Sequence, residues 1–216
     1  MGTQFDSRFW MFAAVVAVVA YLIGSVSFAV IVSRIGAQDD VRAHGSGNAG
    51  MTNMLRSYGK KLAALTAIGD FGKGVVAVAL GRIIFGLAGI QAFDAGYIAG
   101  LCVILGHLYP LYFKFKGGKG VLTSLGAALL ISPIPFLLIV VVLVPFVFIV
   151  KIVSLASLIG FACYPVAVLV VDLLLDRPLA AELVFALIIS IMGIWKHRSN
   201  IQRLLAGTEY RFGKKK

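Results

Sequence analysis

Three short stretches of the chain hold the residues best suited to handling a charged reactant. The first is Gly45-Ser46-Gly47-Asn48-Ala49-Gly50-Met51-Thr52-Asn53-Met54-Leu55-Arg56. Its glycines let backbone N–H groups approach an anion and permit positive φ. Thr52 and Asn53 are of the type that caps a helix, and Met54-Leu55-Arg56 can continue one. A helix N-terminus beside an arginine outlines a phosphate site. A capped linker between two helices has the same composition, so these residues alone leave both readings open. The second stretch is Lys116-Gly117-Gly118-Lys119-Gly120, leading into the apolar Val121-Leu122. Glycines around a lysine at a helix start make another phosphate cradle. It is not a P-loop, because no Gly-x-x-x-x-Gly-Lys-Ser/Thr occurs. The third stretch is Lys196-His197-Arg198-Ser199-Asn200-Ile201. Helical spacing puts His197 and Asn200 on one face. An interfacial helix with basic anchors is the competing reading.

These stretches must be positioned by a membrane scaffold. Of the 216 residues, 60% are hydrophobic, and the mean hydropathy is +0.98. Soluble domains are about 45–50% apolar. The expected fold is all-α, a polytopic transmembrane helix bundle of about seven spans forming a single integral membrane domain over residues 1–216. Apolar segments run over residues 9–33, 62–88, 95–113 and 121–131, then from after Pro135 to Val150, over 154–175 and up to Trp195. The first is too long for the apolar region of a signal peptide and is read as a retained span. The fourth is short, and Ser132-Pro133-Ile134-Pro135 breaks it. Five full crossings result if it forms a re-entrant pair with its partner.

The net charge of +11 does not point to nucleic acid, because the basic residues flank apolar spans. With the N-terminus outside, five Lys and Arg in loop 34–61, three in loop 114–120, Lys151 and seven in the tail face the cytoplasm. Arg8 and Arg177 face the other side. This bias predicts N-out, C-in and an odd number of crossings, and it suits anionic headgroups and phosphorylated substrates.

Outside the three stretches, Asp70 and Lys73 share a helical face within a span, where ionisable groups are costly. Asp70 reads as half of an ion pair that orders the bundle; for Lys73 that role and a functional one both stay open. His107 reads as bonded to a carbonyl or a loop partner, His44 as exposed, and Arg82 as snorkelling to the outer interface. Cys102 and Cys163 read as small buried hydrophobes, and no Cys/His cluster has metal-ligand spacing. Two phosphate-cradling loops suggest two phosphorylated ligands, and a membrane enzyme holding them fits acyl or phospholipid chemistry. A transporter or channel for a phosphorylated anion is the alternative. It would want polar groups along a path near the midplane and a trace of internal repeats; here the polar motifs cluster on one side and no repeat is evident.

At this point the chain resembles the bacterial acyl-phosphate-dependent glycerol-3-phosphate acyltransferases. The likeness rests on Gly45 to Arg56 with Gly59-Lys60-Lys61; on Gly106-His107 with Lys114 to Gly120; and on His197-Arg198-Ser199-Asn200-Ile201 with Leu205-Ala206-Gly207-Thr208-Glu209. Asp70-x-x-Lys73-Gly74 and Ser154-Leu155-Ala156-Ser157 also look like family features. The chain departs from the family pattern at Ser27, Ala29, Lys151 and Ser199.

The resemblance implies that acyl phosphate and glycerol 3-phosphate give lysophosphatidic acid and phosphate, the first acylation of phospholipid synthesis. It implies no metal and no cofactor, a monomer among membrane lipids, and a site on the cytoplasmic side of the bacterial inner membrane. The residues it marks as catalytic are Ser46, Arg56, Lys119, His197 and Asn200. Those it marks for substrate binding are Gly45, Gly47, Asn48, Thr52, Asn53, Lys73, Gly117, Gly118, Gly120, Ser154 and Ser157. Gly117, Gly118 and Gly120 would offer N–H groups to the acyl phosphate. Glu209 reads as structural. An acyl phosphate is already activated, so no covalent nucleophile is needed; the task left is to place two anions together and stabilise charge. The His-x-x-x-x-Asp pair of acyl-CoA-type acyltransferases is missing, the fifth residue beyond each histidine being Ala49, Tyr112 or Gln202.

Overall fold

The computed structural model describes residues 5–213, and every regular element among them is helical. The chain forms two compact units, Met1–Ile131 and Ser132–Lys216. The first holds α1 (Ser7–Ser25), α2 (Phe28–Ala37), α3 (Met51–Tyr58), α4 (Lys60–Leu87), α5 (Ala95–Leu108) and α6 (Val121–Ile131). The second holds α7 (Pro133–Val150), α8 (Val153–Leu174), α9 (Leu179–Lys196) and α10 (Arg198–Leu205).

Six helical stretches are long and apolar enough to cross a bilayer. α6 is apolar but has 11 residues. At 1.5 Å per residue it is about half as long as a ~30 Å hydrocarbon core is thick. The first span, Ser7–Ala37, is 31 residues long, but it is not one helix: Val26 and Ser27 are extended and separate α1 from α2. In α7 only 6% of the most apolar window is buried. Such a helix suits lipid as its solvent: its side chains are apolar throughout and most of its backbone bonds are internal, Pro145 being an interior position that gives no N–H.

In the first unit, helices meet at small residues, as expected where lipid offers no hydrophobic driving force. A Cβ at Gly24 would enter the Val103 carbonyl, and one at Gly106 would enter the backbone at Tyr21 and Ser25, so α1 and α5 cross in backbone contact. α4 and α6 approach in the same way at Gly74 and Gly126.

Lys73, on α4, closes the break between α1 and α2. Its Nζ donates to the carbonyls of Gly24 at 2.9 Å and Val26 at 2.7 Å. It also pairs with Asp70 Oδ1 at 3.2 Å. Carbonyls left open by a helix end thus find a donor. The ammonium of Lys73, a residue expected to bind substrate, has three protein acceptors here, and the residue is 5% exposed. Lys73→Met takes the ammonium from buried Asp70 and the donor from the Gly24 and Val26 carbonyls, and we expect a loss of about 3–5 kcal/mol. Thermal unfolding in detergent would reveal it as a lowered Tm; an unchanged Tm would remove Lys73 from the scaffold.

Arg82, expected to snorkel, pairs with Asp94 at 2.6 Å and donates to the Leu130 carbonyl at 2.9 Å. Asp94 also accepts from the Gly96 N–H at 2.7 Å, capping α5. Burial pushes the Asp94 carboxyl up, but the bonds from Arg82 and Gly96 override it and hold the carboxyl below its ordinary range. The cysteines also differ from expectation: Cys102 is half-buried and Cys163 is exposed. An exposed thiol on α8 is compatible with an apolar surrounding, where cysteine behaves as a small hydrophobe.

In the second unit, Tyr164 donates to Ser132 Oγ at 2.8 Å. Lys151 adopts the left-handed conformation (φ 61°) between α7 and α8, and its carbonyl accepts from the Phe212 N–H at 3.1 Å. The tail is thereby tied to the α7–α8 corner.

Candidate active site

The Gly45–Arg56 stretch is a loop followed by α3. Gly45 and Gly47 have φ of +58° and +70°, which bend the chain tightly ahead of the helix. The helix cap is Gly50, with no side-chain cap bond, so neither Thr52 nor Asn53 caps it as expected. Both lie in the first turn, already inside the helix. Asn53 pins the loop instead. Its Oδ1 accepts from the Ser46 N–H at 3.0 Å, and its Nδ2 donates to the carbonyls of Val41 and His44 at 2.9 and 3.0 Å. Asn53, expected to bind substrate, is 2% exposed and holds the loop through these bonds. Ala49 and Met54, fully buried beside Val41, Val30, Ala29 and Ala63, anchor the loop to the core. With the ends held, Ser46 is exposed, and Asn48, Thr52 and Arg56 are half-buried. Gly45 lies against Arg56: a Cβ there would come within 3.1 Å of Arg56 Cδ.

The Lys116–Gly120 stretch meets this loop. A Cβ at Gly118 would stand 2.6 Å from the Ala49 carbonyl and would strike the His107 imidazole. Gly117 lies against the end of α5, at the His107 carbonyl and Pro110. The Gly118 N–H donates to the His107 carbonyl at 3.2 Å. That N–H, expected to be offered to the acyl phosphate, closes the turn after α5 in this structure. Gly120 has φ +83°, a conformation that favours glycine, and its carbonyl accepts from the Ser124 N–H to start α6. Lys119, half-buried, stands between two buried glycines.

Arg42 braces both loops, a part that its sequence context did not signal. Its guanidinium bonds Asp40 at 2.7 Å and donates to the Phe113 carbonyl at 2.9 Å and the Lys116 carbonyl at 3.4 Å. Hydrogen bonding from Arg42 holds the Asp40 carboxyl well below the usual carboxylate range. Asp39 takes His44 at 2.6 Å, and His44 is exposed, as expected.

In the second unit, His197 follows α9 and is 2% exposed. Its Nδ1 is 2.7 Å from the Gly193 carbonyl. A carbonyl only accepts, so Nδ1 carries the proton, and in the neutral ring Nε2 is the acceptor. Phe161 packs on the imidazole at 5.9 Å between ring centroids. Ser154, Ser157 and Phe161 recur at helical spacing on α8 and are buried. Ser157 bonds back to the Val153 carbonyl at 2.9 Å. Ser154 Oγ is buried and makes no hydrogen bond among the described residues. Asn200 donates to Glu209 Oε1 at 3.0 Å, and Arg203 donates to Oε2 at 2.8 Å. Glu209 thus ties the tail to α10, consistent with a structural part. Removing it with Glu209→Ala frees the Asn200 amide, and we expect kcat to fall about tenfold, the scale of one hydrogen bond. Glu209→Gln keeps an acceptor and should stay within about threefold. Equal turnover in both variants would separate Asn200 from Glu209.

The described residues contain no group of His, Cys, Asp and Glu suited to holding a metal ion. A family model described as glycerol-3-phosphate acyltransferase matches residues 14–207. The chain belongs to the glycerol-3-phosphate acyltransferase family. A glycerol-3-phosphate acyltransferase of Clostridioides difficile is 45% identical over 202 residues, covering 94% of this chain and 96% of that protein. One from Neisseria gonorrhoeae is 42% identical, covering 95% of this chain and 100% of the other. The fold is similar to the crystal structure of PlsY (YgiH), an integral membrane glycerol 3-phosphate acyltransferase, in its glycerol 3-phosphate form. The TM-score is 0.80 and the identity 36%, over 93% of this chain and 96% of that one. The lysophosphatidic acid form of PlsY gives a TM-score of 0.77 at 35% identity. The family match spans all three polar stretches and ends just short of Glu209. This acyltransferase-family chain is a membrane protein with several apolar helices.

Proposed function

We propose that the chain transfers a fatty acyl group from acyl phosphate to glycerol 3-phosphate, giving lysophosphatidic acid and phosphate. The glycerol hydroxyl oxygen attacks the acyl carbon, the bond from that carbon to the phosphate oxygen breaks, and inorganic phosphate leaves. Neutral His197, held by Gly193, takes the hydroxyl proton at Nε2. Asn200 orients the acceptor. Ser46, Asn48, Arg56 and Lys119 hold phosphate oxygens, with the loop glycines Gly45 and Gly47 and the remaining N–H groups around Gly117 and Gly120. Thr52, Ser154 and Ser157 supply further hydroxyls; the buried Ser154 Oγ wants a partner that a substrate oxygen would provide. Bringing two phosphorylated molecules together is repulsive, and Arg56 and Lys119 offset the charge. The reading places the reaction at the cytoplasmic face of a bacterial inner membrane, with N-terminus outside and C-terminus inside. Residues 1–216 act as one domain in a monomer. The acyl chain stays among the apolar helices.

The observation that supports this most is the meeting of two glycine-rich cationic loops, at Gly118 and Ala49. Purified protein given palmitoyl phosphate and glycerol 3-phosphate should release phosphate and form lysophosphatidic acid in equal amounts. Phosphate release without acylated product would overturn it. So would uptake of labelled glycerol 3-phosphate into sealed vesicles with no acylation.

A further inference from the structure

Three buried ionisable groups lie beside the candidate site without being part of it. Lys73 Nζ is 3.2 Å from Asp70 Oδ1, and the same oxygen is 3.5 Å from His107 Nδ1. Asp70, Lys73 and His107 are 2%, 5% and 6% exposed. One end of this chain of contacts grips the α1–α2 break through Gly24 and Val26. Thr123 of α6 donates to the Asp70 carbonyl at 3.0 Å, locking the same turn of α4. The other end is the imidazole, and its Nε2 edge is what a Cβ on Gly118 would strike. His107 also holds Gly118 through its backbone, the carbonyl accepting the Gly118 N–H. The ring is therefore fixed on one side by a buried carboxylate and fills the space under the glycine loop on the other. The next residue along is Lys119.

We propose that His107 is a positioning residue for the glycine loop: held by Asp70, its imidazole sets the height of Gly118 and so the place of Lys119. The physical reason is rigidity. A buried ring packed between a carboxylate 3.5 Å away and the loop has little room to turn, and a glycine without a Cβ rests directly on it. The ring thus adds a side-chain support to a loop already tied by its turn bonds and by Arg42. Buried ion pairs of this kind serve structural specificity in some folds, and here the specificity is the register of one cation. A displacement of about 1 Å at such a cation costs up to about a hundredfold in rate or affinity.

The inference rests on the function proposed above, and its test separates the two. The first measurement is wild-type turnover with palmitoyl phosphate and glycerol 3-phosphate. Its failure sinks the functional reading alone, because the second measurement needs no substrate. That second measurement is amide hydrogen exchange over residues 114–120 of the full-length protein in detergent. In His107→Ala, exchange at Gly118 and Lys119 should rise at least about tenfold while α5 and α6 keep their protection. KM for a phosphorylated substrate should rise by about tenfold or more with a smaller change in kcat. His107→Asn, which keeps a donor toward Asp70, should recover part of both effects and covers the case in which the alanine variant does not fold. A merely structural histidine would instead lower Tm and the folded fraction with KM unmoved. Unchanged loop exchange and unchanged KM in either folded variant overturns the proposal. A further check is Gly118→Ala, which should be less damaging in the His107→Ala background than in wild type. Simple additivity would argue against a ring-to-glycine contact.

Discussion

His197→Ala is expected to lower kcat by about 10²–10⁴-fold, the range for loss of a positioned general base. The effect should fall on kcat more than on KM, because the proton moves only as the hydroxyl attacks. The argument starts from one bond. Nδ1 is committed to the Gly193 carbonyl at 2.7 Å, so the neutral ring can accept at Nε2 and nowhere else. Phe161 on the ring and the near-complete burial of the side chain fix its plane. His197→Gln is the sharper variant. Its amide can hydrogen-bond a hydroxyl but cannot take a proton at neutral pH, so its turnover should stay close to that of the alanine variant. Near-normal turnover with glutamine would exclude the base role and leave a substrate phosphate oxygen as the acceptor. Steady-state phosphate release at saturating concentrations of both substrates decides it.

The second large effect is expected at Arg56. Its side chain lies under Gly45, at the last turn of α3, half-buried and therefore less screened than a surface arginine. A charge-assisted bond to phosphate contributes about 1.5–3 kcal/mol. Arg56→Ala should raise KM for the substrate it holds by about 10–150-fold, at 1.36 kcal/mol per decade. Arg56→Lys keeps the charge but loses the planar fork, and it should recover only part of the loss. KM measured for each substrate in turn would show which phosphate Arg56 holds. An unchanged KM for both would remove it from the site.

These expectations stand on residues of very different legibility. The apolar runs and the clustering of Lys and Arg between them are one-dimensional properties, so membrane insertion and an all-helical fold follow from the sequence. The polar stretches Gly45–Arg56, Lys116–Gly120 and His197–Asn200 are visible for the same reason: they interrupt otherwise apolar chain. The family follows from their order. Glu209 could be read as a tie because a lone carboxylate in a basic tail has few other options, and it bonds Asn200 and Arg203.

What each side chain does inside those stretches needed the tertiary structure. Asn53 looks like a helix cap by type; whether it caps depends on where α3 begins, and that is Met51, with Gly50 as the cap. Lys73 looks like a substrate-binding cation until its partners are known. Those are carbonyls 49 and 47 residues away, at a helix break that no periodicity marks. Gly118 looks like an open N–H donor, but the end of α5 takes that bond. Arg82 was expected to reach for an interface; its partners, Asp94 and Leu130, are visible only in the fold. Sequence by itself determined the solvent, the helices and the chemistry available. Packing decided which of those groups are committed to holding the protein together, because a hydrogen-bond partner is set by proximity in space, and in a membrane a polar group without one is too costly to keep.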